Sequence, residues 1–271
     1  MEKNKTKLII RFLLLLLVGY SFTNAAVYFQ QDKLLFHPRP ISDSTVLDTY
    51  SEHAYQVTHD DTSLQGWLFQ LERISTKTPL IIYYGGNAEE ISTLLKNHDQ
   101  WPAGALLLMN YRGYGNSEGK PSAEMLKQDA LFIFDQVIAE LSIKPNQVVI
   151  VGRSLGSGIA TYVTAKRKVA RTVLITPFDS MTNVAQYHYP WLPVSVLLKH
   201  RFDSATLAKM ITTPALVLLA GTDQVVPHQF SKNLLQHWAG ETTSTTITQS
   251  HHGSITSHPD YWQAIKQFIQ Q

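Results

Sequence analysis

The sequence predicts an α/β protein: one mostly parallel, eight-stranded sheet with helices on both faces. Three observations lead there. Short apolar runs such as those in PLIIYYGGN, GALLLMNY, VVIV, RTVLIT and PALVLLAG read as buried strands. Segments with helical apolar spacing separate several of these runs, and strand–helix alternation is the signature of parallel crossovers. Several runs also end in glycine, and a parallel sheet gathers its reactive loops at the carboxyl ends of its strands.

The elements follow in order. Residues 1–30 begin with Lys3, Lys5, Lys7 and Arg11 ahead of FLLLLLVGYSFTNAAVYF. Basic residues before an apolar run predict a signal peptide or an anchor whose basic end stays in the cytoplasm. The strongly apolar core, residues 12–18, is short, and Thr23-Asn24-Ala25 offers a small-x-Ala cleavage site; both features fit a signal peptide. Apolar character continues to Phe29, giving about 18 residues, which suffices to span a bilayer. An uncleaved anchor is the preferred reading. Either way the remaining chain, residues 31–271, is expected outside the cytoplasm, on the membrane or released from it.

QDKLLFHPRPISDS reads as a proline-containing connector, with Leu34, Leu35 and Phe36 packing on the domain edge. EHAYQVTHDDTSLQGWLFQ gives two alternating strands joined at Asp60-Asp61. PLIIYYGGN is a central strand, AEEISTLLKNHDQW a helix, and GALLLMNYRGYGNSEG a strand with a glycine-rich exit. Leu126, Ala130, Ile133, Val137 and Leu141 recur at helical spacing after Pro121-Ser122. VVIV, RTVLIT and PALVLLAG are further strands, GIATYVTAKRK and FSKNLLQHW helices, TTSTTIT a polar strand and PDYWQAIKQFIQQ a closing helix. Residues 181–210 interrupt the alternation; they are rich in aromatics and proline and read as a cap-like insertion.

Composition removes several functions. The 271 residues carry a formal charge of +2, and four of the basic residues lie in the first eleven positions. No basic stripe interleaved with aromatics points to nucleic acid. The chain has no cysteine, which excludes disulfides, thiolate metal sites and a cysteine nucleophile.

VVIVGRSLGSG places Gly152-Arg153-Ser154-Leu155-Gly156, a G-x-S-x-G pattern, between a strand and a helix. There the turn is so sharp that the serine takes strained angles, and a β-carbon two residues either side collides with the adjoining elements. Ser154 is thereby exposed, with the Leu155 N–H and the helix N-terminus beside it to receive negative charge. The phosphate-loop alternative lacks its G-K-[ST], and the dinucleotide loop its G-x-G-x-x-G.

A serine hydroxyl needs a base, and the base an orienting acid. Asp223, just after PALVLLAG, is the expected acid; Asp179 and Asp203 are rivals. TTITQSHHGSI offers His251 and His252 after the last strand, and the pattern alone does not choose between them. His228 and His258 are weaker because neither directly follows a strand. No known ligand spacing surrounds the His251-His252 pair, so no metal is expected.

With these residues the chain resembles the alpha/beta-hydrolase superfamily, and within it the Bem-like membrane-anchored serine hydrolases, related to depalmitoylating thioesterases and serine aminopeptidase-like hydrolases. The resemblance extends from about Leu34 to the C-terminus and rests on GGNAE, NYRGYGNSEGKPS, GRSLGSG, GTDQVVP and HHGSI. It implies that His252, in His-Gly-Ser-Ile, is the base. It also implies a second oxyanion donor after the third strand, the backbone N–H of Asn87, although Gly85 replaces the histidine of the family's His-Gly-Asn-Ala loop. The implied reaction is acyl transfer from an ester, possible lipid-like acyl esters included, without metal or cofactor. A thioesterase, a peptidase or a non-catalytic binding protein on the same fold are the alternatives. Tyr111, Arg112 and Tyr114 are expected to tie loops together or border the substrate entrance. Tyr187 and Trp191 are expected to line an acyl pocket or to cover the sheet edge.

Overall fold

The computed structural model describes residues 2–271. Its elements are α1 (Glu2–Leu35), α2 (Thr45–Thr49), β1 (Ala54–His59), β2 (Thr62–Gln70), β3 (Leu80–Tyr84), β4 (Ala105–Met109), α3 (Ala123–Glu140), β5 (Val148–Arg153), α4 (Leu155–Lys166) and β6 (Arg171–Ile175). Then follow α5 (Met181–His188), α6 (Val194–Leu197), α7 (Ser204–Ala208), β7 (Ala215–Ala220), α8 (His228–His237), β8 (Thr242–Ile247) and α9 (Pro259–Gln270).

The eight strands form one sheet in the order β1-β2-β4-β3-β5-β6-β7-β8. β2 runs antiparallel to both β1 and β4, and every other pairing is parallel. β3, β4 and β7 are buried at every position, as strands covered on both faces must be. Their side chains feed two apolar layers. One layer joins Ile82, Leu107 and Ile150 to Leu126, Phe134, Ile159 and Val163 of α3 and α4. The other joins Ile81, Leu106 and Val149 to Tyr261, Ile265 and Phe268 of α9.

The chain leaves β3 toward β4 on one side and returns to β5 on the other, so the order reverses across β3. Connections that diverge at such a point open a crevice outside the carboxyl ends of the strands. The loop after β3 and the bend after β5 form its walls.

Two segments differ from expectation. The connector begins as helix, because residues 30–35 are all tolerated in a helix and the first breaker is Pro38. Of its three apolar residues, Phe36 is buried, Leu35 half-buried and Leu34 exposed. AEEISTLLKNHDQW forms a 3₁₀ segment, Ile91–Gln100, kinked at Asn97. Here Glu90 turns back onto the Ser92 N–H and hydroxyl, and Asn110 Oδ1 takes the Ile91 N–H at 3.1 Å, which tightens the first turn. The insertion, for its part, forms three short helices packed beside α1, α4 and α8. Buried Asp179 pins it, accepting from Ser180 N at 2.5 Å and from the Asn183 and Asn233 amides at 2.8 and 2.6 Å.

Candidate active site

The bend after β5 has the geometry its glycines imply. Ser154 lies at φ 50°, ψ −116°, in left-handed territory that a non-glycine residue occupies only under strain. Its N–H is held by Ile175 O of β6 at 2.9 Å. A Cβ on Gly152 would lie 2.3 Å from Gly156 O, and one on Gly156 only 2.0 Å from Tyr84 O of β3. Those contacts are with backbone, so the close seating of α4 on the sheet tolerates only glycine there.

The bend presents Ser154 Oγ to His252 Nε2 at 2.9 Å. Nδ1 of the same ring lies 2.8 Å from Asp223 Oδ2. Asp223 Oδ1 is fixed in turn by the Val225 and Val226 N–H groups at 2.9 and 2.8 Å, and the Asp223 side chain is 1% exposed. A carboxylate on one ring nitrogen holds the proton there and leaves the other free to accept. The structure therefore brings Ser154, His252 and Asp223 into one hydrogen-bonded line.

The rival residues lie elsewhere. His251 is exposed, its Nδ1 accepting from Gly253 N. His228 bonds Ala220 O, His258 caps α9, and Asp203 caps α7.

The loop after β3 closes on the serine: a Cβ on Gly86 would stand 3.8 Å from Ser154 Cβ. The Asn87 side chain spans several groups. Its Oδ1 accepts from His37 N at 3.3 Å and Tyr114 Oη at 3.1 Å, and its Nδ2 donates to Leu35 O at the end of α1. The Asn87 and Leu155 N–H groups have no acceptor among the described residues. Tyr111 Oη donates to Gly85 O at 2.8 Å, and Arg112 forms a buried bidentate pair with Asp129 at 2.6 Å to each oxygen. Tyr111, Arg112 and Tyr114 thus tie loops together. Burial holds the Tyr111 phenol well above its ordinary pKa, so it stays a donor.

One pair was not foreseen from the sequence as part of the site. Glu89 Oε2 accepts from Gly86 N at 2.6 Å and Tyr83 Oη at 3.0 Å, while Oε1 pairs with Arg153 Nη1 at 2.9 Å. Arg153 Nη2 continues to His252 O at 3.1 Å. The Arg153 and Glu89 side chains are 14% and 9% exposed, respectively, and together they join the β3 loop, the serine bend and the histidine loop. Burial works against the Arg153 charge, but Glu89 and the neighbouring phenols Tyr83 and Tyr261 outweigh it and hold its pKa above the usual value. The available signal was an arginine at the variable position before the serine, with a glutamate two residues after Asn87.

A cleft of about 810 Å³ opens over Ser154 and His252, lined also by Arg39, Asn87, Thr93 and Val225. Tyr187 and Trp191 do not line it. Both are exposed on the insertion, where Tyr187 stacks edge-on against Phe230 of α8 and Trp191 borders α1. Among the described residues, no three His, Asp or Glu side chains cluster to hold a metal.

Sheet order, elbow and cleft together give the chain the alpha/beta-hydrolase fold. An alpha/beta hydrolase from Vibrio vulnificus superposes with a TM-score of 0.68 at 21% identity, over 90% of this chain and 91% of that one. Among curated proteins the chain is 29% identical to an uncharacterized protein of Mycobacterium tuberculosis, over 77% of this chain and 75% of the relative. It is also 29% identical to an uncharacterized membrane protein of Saccharomyces cerevisiae, over 79% and 77%. The lysophosphatidylserine lipase ABHD12 of Xenopus tropicalis is 30% identical over 60% of this chain, which spans 47% of that protein. No protein-family model matches the chain.

Proposed function

We propose that this protein is a membrane-anchored serine hydrolase that cleaves carboxylic esters. The observation that supports it most is the line Asp223–His252–Ser154 at a strained strand-to-helix bend, with both contacts under 3 Å. In this reading His252 Nε2 takes the Ser154 proton as Oγ attacks the ester carbonyl. The Leu155 and Asn87 N–H groups receive the oxyanion, each donor contributing about 10²–10³ in rate. Protonated His252 then gives its proton to the leaving alcohol. Water, deprotonated by the same nitrogen, attacks the acyl-enzyme and releases the acid while Ser154 recovers its proton.

Lipid-like acyl esters are the favoured substrate class. ABHD12 is a lysophosphatidylserine lipase by name, and α1 is long and apolar enough to cross a membrane. In this proposal residues 1–30 anchor a hydrolase domain of residues 31–271, and the basic end of α1 keeps that domain outside the cytoplasm. A fluorophosphonate probe tests the nucleophile: wild type is labelled covalently and Ser154→Ala is not. Absence of labelling on the folded wild-type protein refutes the proposal. Turnover of p-nitrophenyl esters from acetyl to palmitoyl then sets the chain-length preference.

A further inference from the structure

Outside the cleft, an exposed apolar surface stands at the tip of the insertion where it meets α1. Tyr189, Trp191 and Val196 are 53%, 55% and 76% exposed there. By contrast Trp67, Trp101 and Trp238 are all buried. Residues 181–198 contain no Asp, Glu, Lys or Arg, and the stretch ends at Lys199 and Arg201. An uncharged, aromatic, exposed surface bounded by cations is unusual on a protein facing only water.

The position of α1 says what covers it. Between Arg11 and Asp32 the helix has twenty uncharged residues, about 30 Å at 1.5 Å per residue, which matches the hydrocarbon thickness of a bilayer. The insertion is docked along the second half of this run. Tyr20 Oη donates to Trp191 O at 2.9 Å, Lys199 Nζ stands 4.0 Å above the Tyr28 ring, Lys199 N donates to Gln31 at 2.7 Å, and His200 pairs with Asp32 at 2.6 Å. Tyr20 lies about 18 Å along the axis from Asp32. A bilayer that takes in the uncharged run therefore reaches the Trp191 surface as well.

We propose that residues 189–198 are seated in the membrane leaflet crossed by the second half of α1, making the insertion a second membrane contact. Val196, next to Leu197 whose carbonyl accepts from Gln31, lies near the headgroup boundary, while Trp191, level with Tyr20, lies deeper among the acyl chains. Lys199 and Arg201 lie at the level of the headgroups and favour anionic lipid. Between α1 and the insertion lies an apolar cavity of about 330 Å³, lined by Val27, Leu34, Leu35, Leu192 and Leu197, a space hydrocarbon fills better than water.

This inference rests on α1 lying in a bilayer, and the test separates the two. The chain has no cysteine, so single cysteines report cleanly. Val196→Cys, Leu15→Cys on α1 and Asn146→Cys before β5 (the opposite rim of the sheet) are all at exposed positions. Each full-length variant is labelled with a nitrobenzoxadiazole dye and reconstituted into phosphatidylcholine–phosphatidylglycerol vesicles containing doxyl-labelled lipid. Leu15 and Val196 should both be quenched, with Val196 responding more to shallow than to deep doxyl groups and losing at least about twofold more emission than Asn146, as a boundary-seated element requires. Quenching at Leu15 with Val196 equal to Asn146 overturns the membrane contact while leaving the anchor standing. A blue shift at Val196 without lipid quenching assigns the surface to a protein partner or second copy and overturns it too. If Leu15 is not quenched either, anchor and inference fall together.

Discussion

Glu89→Gln removes one negative charge from the junction of three loops. The substitution keeps one acceptor oxygen but leaves the Arg153 guanidinium, only 14% exposed, without its counter-ion. Breaking a buried pair from one side costs about 3–5 kcal/mol; the retained acceptor places this variant near 3 kcal/mol. For a chain of this size that corresponds to a fall in Tm of roughly 6–12 °C. The same change frees Gly86 N, one residue before Asn87, so the proposed second oxyanion donor loses its support. The lost rate then approaches the roughly 10²-fold attached to one donor. Differential scanning fluorimetry reads the first effect and kcat for p-nitrophenyl butyrate the second. Adding Arg153→Met to Glu89→Gln removes the stranded cation, so stability should return toward wild type while kcat stays low. If Glu89→Gln alone shifts Tm by less than about 2 °C and leaves kcat unchanged, the pair does not hold the site and the reasoning is wrong.

Three further outcomes are expected. His252→Ala should abolish p-nitrophenyl ester turnover while His251→Ala retains most of it, since only His252 reaches Ser154; the reverse result exchanges their roles. Gly156→Ala puts a methyl 2.0 Å from Tyr84 O and should cost about 3 kcal/mol or more, seen as a lower urea midpoint or loss of soluble protein; an unchanged midpoint contradicts the close seating of α4. Burial, the leading cause for both, keeps the Tyr83 and Tyr111 phenols protonated far above the usual range. Their stability contribution is complete below the unfolded value of about 10 and is lost as pH rises beyond it, at about 1.4 kcal/mol per pH unit for each phenol. Alkaline unfolding curves for Tyr83→Phe and Tyr111→Phe should therefore be shallower than wild type above that pH, and equal slopes refute the argument.

The parallel sheet was legible because β3 to β7 are apolar runs with helical spacing or glycine between them, and both signals are local. The serine bend was legible for the same reason: Gly152, Ser154 and Gly156 are forced by the turn itself. The Glu89–Arg153 pair was not, since it joins residues 64 apart through a fold the pattern does not specify in atomic detail. Tyr187 and Trp191 stayed open between an acyl pocket and the sheet edge because aromatic composition says a surface is apolar without saying which way it faces. The Ile91–Gln100 segment misled because its apolar spacing fits a helix, whereas Glu90 and Asn110 bind its first turn too tightly for one.

The clasp of Leu35 and His37 on Asn87 has a practical corollary. A proteolytic cut after Ala25 would leave both residues in place, so on the proposed reading release of the domain from a membrane is compatible with an intact Ser154 site. Trimming the chain past Leu35 to gain solubility would instead unfasten the loop beside the serine, and on the proposed function such a shortened protein should turn over esters slowly even in the absence of lipid.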